Sequence, residues 1–254
     1  MVNIILSGCG GRMGQAIVRA AKEDKSCRIL AGIDINADSV APACEFPVYQ
    51  NISELSDKAD VIVDFSHHTA LPSLADYAIK TGTPIVVATT GHTDEEKATM
   101  LDASEKVAVF SSGNMSIGIN LLMELCRIGA QTLGDAFDVE IIEKHHNQKL
   151  DAPSGTALMI ADAIKEEREN TEYVYDRHSV RRVRAKSEIG IHSIRGGTIV
   201  GEHEVIFAGL NETITVSHSA ASREIFANGA LRAAKYLAHK GAGLYDMSDL
   251  INNR

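Results

Sequence analysis

The densest set of reactive groups in the chain is the run Glu143-Lys144-His145-His146-Asn147-Gln148-Lys149-Leu150-Asp151-Ala152-Pro153-Ser154-Gly155-Thr156. Histidine titrates near pH ~6.5, so His145 and His146 can donate a proton at neutral pH. Lys149 adds a fixed positive charge. Pro153, Ser154, Gly155 and Thr156 have the composition of a helix N-terminus, whose hydroxyls and free N–H groups receive a carboxylate. The segment can therefore bind a small dicarboxylate and protonate it. Other readings stand beside this one. The paired histidines with Asp151 suggest zinc, but neighbouring histidines on a strand point to opposite faces and no third ligand has helical spacing, so no metal is expected. Ser154 lacks the G-x-S-x-G elbow of a hydrolase nucleophile. A solvated polar loop is the remaining alternative.

A second chemical group lies near the start. Gly8-Cys9-Gly10-Gly11-Arg12-Met13-Gly14 is spaced G-x-x-G-x-x-G, so Met13 takes the place of the last glycine of a strict G-x-G-x-x-G. Glycines here allow a tight turn and close approach of backbone to a pyrophosphate, which the following helix N-terminus can bind. Asp34, 20 residues after Gly14, can accept hydrogen bonds from an adenosine ribose. Ala88-Thr89-Thr90-Gly91 and Ser112-Gly113-Asn114-Met115 follow two further apolar runs; their small and hydroxyl residues would let backbone groups approach a nicotinamide. The expected cofactor is NADH or NADPH. Ile35 and Asn36 offer no cation to a 2′-phosphate, which favours NADH, although Arg12 is within the loop.

The elements that position these groups alternate in the first half. Strands are expected at 2–6, 28–33, 60–65, 84–88 and 107–110, and helices at 12–22, 71–80 and 94–104. This rhythm, with near-continuous β-branched runs, argues for an α/β fold with a Rossmann-like doubly wound parallel sheet. The rhythm changes after residue 115. A helix over 117–133, a strand over 139–143, a helix over 156–169 and strands at 188–194, 198–207 and 212–218 suggest a second α+β domain with a mixed or antiparallel sheet. A last helix over 223–239 would turn Ile225, Phe226, Leu231 and Tyr236 to a core.

The composition bounds the function. A chain of 254 residues with 44% hydrophobic and 23% charged residues is an ordinary globular protein of one or two domains. No apolar run approaches a membrane span, and the N-terminus runs straight into a strand without a basic leader, so neither membrane insertion nor a signal peptide is expected. The net charge of −9 is the opposite of a nucleic-acid binder's. An anionic substrate must then be held by local cations. Cys9, Cys27, Cys44 and Cys126 form no C-x-x-C pair and read as buried thiols in a reducing, cytoplasmic compartment. One basic run remains, Arg177, Arg181, Arg182, Arg184 and Lys186 with Arg195 nearby; lacking interleaved aromatics, it reads as a solvated loop or subunit face rather than a nucleic-acid patch.

These residues resemble the 4-hydroxy-tetrahydrodipicolinate (dihydrodipicolinate) reductase family over essentially the whole chain. The most specific segment is His145-His146 through Lys149 to Asp151–Thr156, joined by Val200-Gly201-Glu202-His203, Ser222-Arg223 and Phe226–Ala230. The resemblance implies reduction of an unsaturated six-membered ring with two carboxylates, with loss of water, in diaminopimelate and lysine biosynthesis. It makes His145 the general acid. His146 and Lys149 become substrate-binding residues, with Lys149 also assisting proton transfer, and Gly155 and Thr156 the carboxylate site. Gly8, Cys9, Gly10, Gly11, Arg12, Met13, Asp34, Ala88, Thr89, Thr90, Ser112, Gly113, Asn114 and Met115 match cofactor positions. It further implies a homotetramer joined through the second domain's sheets, a dinucleotide domain of residues 1–115 and 224–254, and a substrate and oligomerisation domain of 116–223. The chain departs from the family at Met115, often an aromatic, at Ala88, often glycine, and at Ile35, basic in some members. Another two-domain nicotinamide oxidoreductase would want a catalytic cysteine or a different lysine–aspartate pair. A non-catalytic NADH sensor would not need the His145–Thr156 block.

Overall fold

A computed structural model of the protein describes residues 1–56 and 58–252. The chain divides into two compact units, Met1–Ser116 with Glu224–Arg254, and Ile117–Arg223.

The first unit begins with β1 (Val2–Ser7), α1 (Arg12–Glu23), β2 (Cys27–Ile33), the short α2 (Ala37–Val40), β3 (Val48–Tyr49) and β4 (Val61–Asp64). It continues with α3 (Leu71–Thr81), β5 (Ile85–Val87), α4 (Asp94–Ser104) and β6 (Ala108–Ser111). Every residue of β4 and β5 is buried, as their runs of β-branched residues require in a sheet covered on both faces. Local chemistry sets the helix ends. Pro72 opens α3 and Gly82, at φ 66°, closes it; Thr93 caps α4 in a capping box with Glu96.

The second unit carries α5 (Ile117–Leu133), β7 (Asp138–His145), α6 (Gly155–Lys165), β8 (Glu172–Val174), β9 (Glu188–Arg195), β10 (Gly201–Ala208) and β11 (Thr213–Ala220). Its sheet runs β11-β10-β7-β9-β8, antiparallel on the β10 side and parallel between β7, β9 and β8. β7 alternates half-buried and buried residues along its length, and the buried set, Val139, Ile141, Glu143 and His145, lies on one face. Val139 and Ile141 join Ile160, Ile164, Ile189 and Phe207 in the core with α5 and α6. α6 is shorter than the expected 156–169.

The chain then returns to the first unit as α7 (Glu224–Leu237), β12 (Gly243–Tyr245) and α8 (Met247–Ile251). The completed sheet is parallel throughout, in the order β12-β6-β5-β4-β1-β2-β3. The order reverses at β1, so the carboxyl ends of β1 and β4 form the crevice where such sheets bind ligands. α7 packs on α1, β4, β5 and β6. Of its four expected core residues only Leu231 is buried; Ile225, Phe226 and Tyr236 are half-buried. The face against the sheet is instead made of Ala227, Gly229, Ala230, Ala233 and Ala234, whose small size lets the helix approach closely. A Cβ on Gly229 would run into the Met115 carbonyl. α2, β3, β8, β12 and α8 escape sequence reading because each has only two to five residues.

Candidate active site

The polar block divides at the end of β7. Lys144 and His145 belong to the strand; His146 to Pro153 form a loop; Ser154 caps α6, accepting the Ala157 amide at 3.2 Å. The first-turn amides of α6 have no acceptor within a helix. His145 is 9% exposed, His146 and Lys149 are half-buried, and exposed Gly155 stands beside half-buried Thr156. Nη2 of Arg223 lies 3.5 Å from His146 Nε2. Lys149 pairs with Asp151 at 2.9 Å, which holds the Asp151 carboxyl below its ordinary value. The segment thus gathers cations, a helix N-terminus and a titratable ring, which is chemistry suited to an anion that must be protonated.

His145 sits in a buried network. Its Nδ1 lies 2.6 Å from Oε2 of Glu143, which is fully buried and also receives both Nη atoms of Arg195, at 2.8 and 2.7 Å, and the Ser154 amide at 3.1 Å. Burial pushes the Glu143 carboxyl up, but the hydrogen bonds from Arg195 and His145 outweigh it and hold it at about 2. Burial lowers the His145 imidazole from its ordinary value, with Glu143 pulling the other way. His203 stands edge-on to His145, ring centroids 5.3 Å apart, and its Nε2 shares a hydrogen bond of 3.2 Å with the Ser154 hydroxyl. Burial, then the neighbouring His145, pushes it down to about 4, so it is neutral. Among the described residues, no cluster of His, Cys, Asp and Glu is arranged to hold a metal ion.

In the first unit the glycine loop follows β1. Gly8, at φ 78°, tolerates no side chain: a Cβ would lie 2.5 Å from the Phe65 carbonyl oxygen, and one on Gly14 would run into the Gly8 carbonyl. The Gly10 amide donates to Asp34 Oδ2 at 2.9 Å and the Asn36 amide to Oδ1 at 3.0 Å, so the carboxylate is held at the loop's edge. Gly11 caps α1 without a side chain, leaving the amides of Arg12 and Met13 for an anion. A cleft of ≈ 590 Å³ runs along Gly8, Gly10, Gly11 and Asp34, and a second of ≈ 380 Å³ along Arg12, Met13, Ala88, Thr89 and Thr90. Both share Gly11, Phe65, Ser66 and His67. A bare glycine cradle, an uncapped helix start and an adjoining carboxylate fit a nicotinamide dinucleotide. Cys9 contributes backbone only, since its side chain is fully buried and burial pushes the thiol up to about 12. Ser112, Gly113, Asn114 and Met115 line neither cleft; they form a turn in which Asn114 Oδ1 accepts the Ser116 amide at 2.8 Å, with Met115 buried.

Sequence reasoning left some residues out. Phe65, Ser66 and His67 follow β4 and were recoverable from the rule that ligands sit at carboxyl ends of strands. Fully buried Asp64, at the same strand end, accepts Thr89 Oγ1 at 2.7 Å and so joins two loops of the cleft. Glu143 and Arg195 have no local signal tying them together. The basic run is an exposed loop, as expected, but several of its arginines are paired within the unit. Arg177 bonds Glu188 at 2.6 Å and Arg182 pairs with it at 2.9 Å, while Arg184 bonds Glu140 and Asp138 at 2.9 and 2.8 Å. Carboxylates of β7 and β9 use these charges internally; Arg181 and Lys186 are exposed.

Comparisons with known proteins agree along the length of the chain. Two family models match, "Dihydrodipicolinate reductase, N-terminus" over residues 2–115 and "Dihydrodipicolinate reductase, C-terminus" over residues 118–251. A 4-hydroxy-tetrahydrodipicolinate reductase of Caldanaerobacter subterraneus is 51% identical over 99% of this chain and 98% of its own. One from Clostridium tetani is 46% identical over 100% and 98%. Among solved structures, dipicolinate-bound dihydrodipicolinate reductase from Paenisporosarcina sp. TG-14 superposes with a TM-score of 0.81 at 27% identity, covering 97% of each chain. A probable dehydrogenase from Thermotoga maritima, at 11% identity and a TM-score of 0.65 over 98% of this chain and 92% of its own, shares the fold.

Proposed function

The chain belongs to the dihydrodipicolinate reductase family, and from that premise we propose that it reduces 4-hydroxy-tetrahydrodipicolinate, with loss of water, in diaminopimelate and lysine biosynthesis. It is an oxidoreductase of the NAD(P)H-dependent kind. The observation that carries the reading is His145, a buried ring bonded to Glu143 at 2.6 Å, next to the N-terminus of α6 and the cations Lys149 and Arg223.

A bound nicotinamide cofactor supplies the hydride. Gly8 through Met13 would hold its pyrophosphate, Asp34 its ribose, and Ala88, Thr89 and Thr90 with Ser112 through Met115 its nicotinamide end. His145 Nε2 donates the proton to the ring carbon beside the one that receives hydride. His146 and Lys149 bind the substrate, Lys149 also easing proton transfer, and the amides and hydroxyl of Gly155 and Thr156 take a carboxylate. A dianion among these groups favours the charged imidazole, so substrate binding offsets the burial that lowers the His145 pKa.

NADH is the preferred cofactor. The cleft beside Asp34 is lined by Ile35, Asn36, Ser39, Gln50 and Asn51 and, among the described residues, carries no Lys or Arg, so a 2′-phosphate would meet a carboxylate without a cation. The family likeness also supports a homotetramer and a cytoplasmic setting, in which the free thiols Cys9, Cys27, Cys44 and Cys126 stay reduced. The test is to supply pyruvate and aspartate semialdehyde with an active synthase and follow NADH and NADPH oxidation separately. Synthase-dependent oxidation, with the higher kcat/KM for NADH, is expected. Tight NADH binding without any oxidation would leave a sensor or a different dehydrogenase.

A further inference from the structure

We propose that Glu143 is a positioning residue that fixes His145 so that Nε2 carries the mobile proton, and that locks the ring to the start of α6. The inference rests on the reading of His145 as proton donor. Glu143 and His145 are two apart on β7, hence on one face, and Arg195 stands opposite His145 in the β7–β9 register. Donors converge on the buried carboxylate: Nδ1 of His145, both Nη atoms of Arg195, the Ser154 amide and the side chain of Ser193, its neighbour across the β7–β9 register. A carboxylate only accepts, so Nδ1 donates whether the ring is neutral or charged. The neutral ring is then the Nδ1–H tautomer, and the second proton enters and leaves at Nε2. The space beside Nε2 is kept open by Gly201, where a Cβ would lie 3.1 Å from that nitrogen.

Arg195 completes the device. A close buried acid and base would otherwise share the proton; the bidentate guanidinium keeps Glu143 ionised, so the proton stays on the ring. Nη2 of Arg195 also donates to the Asp151 carbonyl at 2.7 Å, within the loop that carries Lys149. One carboxylate therefore sets the ring, the capping residue of α6 and, through Arg195, the intervening loop.

The test compares the full-length wild type with Glu143→Gln, Glu143→Asp and His145→Gln in the synthase-coupled assay, together with ¹⁵N-histidine spectra. Glu143→Gln is expected to lower kcat about 10- to 100-fold with the KM for NADH unchanged. Loss of the negative charge should also move the alkaline limb of kcat/KM to lower pH. Wild-type His145 should titrate from an Nδ1–H neutral form. Should Glu143→Gln fail to fold, Glu143→Asp, which keeps the negative charge but shortens its reach toward His145, should show the same loss of kcat. A wild-type kcat and pH profile in the Glu143 variants while His145→Gln is inactive would overturn the positioning role, as would a neutral Nε2–H form in the wild type. Full turnover by His145→Gln would instead overturn the acid assignment, and the positioning role with it.

Discussion

A Cβ placed on Gly201 would lie 3.1 Å from Nε2 of His145, tighter than ordinary van der Waals contact. Gly201 opens β10, the strand that pairs with β7 and brings His203 against the same ring. The glycine therefore keeps clear the atom assigned to proton transfer. Gly201→Ala is expected to lower kcat about 10-fold while the fold and NADH affinity hold, because the added methyl group must push the ring aside and misalign proton transfer. Steady-state kinetics with a cofactor titration check this; unchanged kcat would place the reacting atom elsewhere.

Cofactor choice should follow the residue after the ribose acid. Ile35 is 80% exposed beside Asp34 and can be replaced without disturbing the core. Ile35→Arg should improve kcat/KM for NADPH about 10-fold through one charge-assisted contact, with the NADH value little changed. Equal effects on both cofactors would mean that this edge of the cleft does not face a 2′-phosphate.

Acid should weaken the fold in two stages. The folded-state value of His203, about 4 against an ordinary 6.5, means that its contribution is complete above 6.5 and is lost as pH falls toward 4. That of Glu143, about 2 against 4.5, is complete above 4.5 and is lost as pH falls toward 2. Urea midpoints measured across this range should fall in the wild type. The upper stage should flatten in His203→Gln and the lower stage in Glu143→Gln. Identical pH slopes in all three would contradict the assignment.

Arg184 is tied to Asp138, Glu140 and the carbonyls of Val139 and Ala185 and is mostly buried. Removing it strands carboxylates, so Arg184→Met should destabilise the protein by about 3 kcal/mol without a specific kinetic effect. Thermal unfolding beside kcat decides. A stable variant with impaired substrate binding would return this run to a ligand role.

What the sequence disclosed and what it withheld divide along contact distance. The glycine loop, Asp34 and the α6 start declare themselves because a turn, a strand end and a helix cap are each made by neighbours in the chain. Glu143 and Arg195 are 52 residues apart and meet only through the β7–β9 register, so a strand carboxylate and a stray arginine looked unrelated. For the same reason the carboxylates that pair with the basic run were hidden, since Glu140 and Asp138 lie on a distant strand. α7 misled through size: large side chains suggested its core face, while the packing is done by alanines and Gly229. That the first sheet is parallel follows from its alternation, but short edge pieces such as β3 and β12 carry no period to read.

The central claim is that His145 gives the proton during reduction. The most direct measurement is the synthase-coupled turnover of His145→Gln beside its NADH affinity. The expected result is a fall in kcat of about 10²–10⁴ with NADH binding nearly intact, as for loss of a general acid. Turnover near the wild-type rate, or collapse of NADH binding with kcat preserved at saturation, would contradict it.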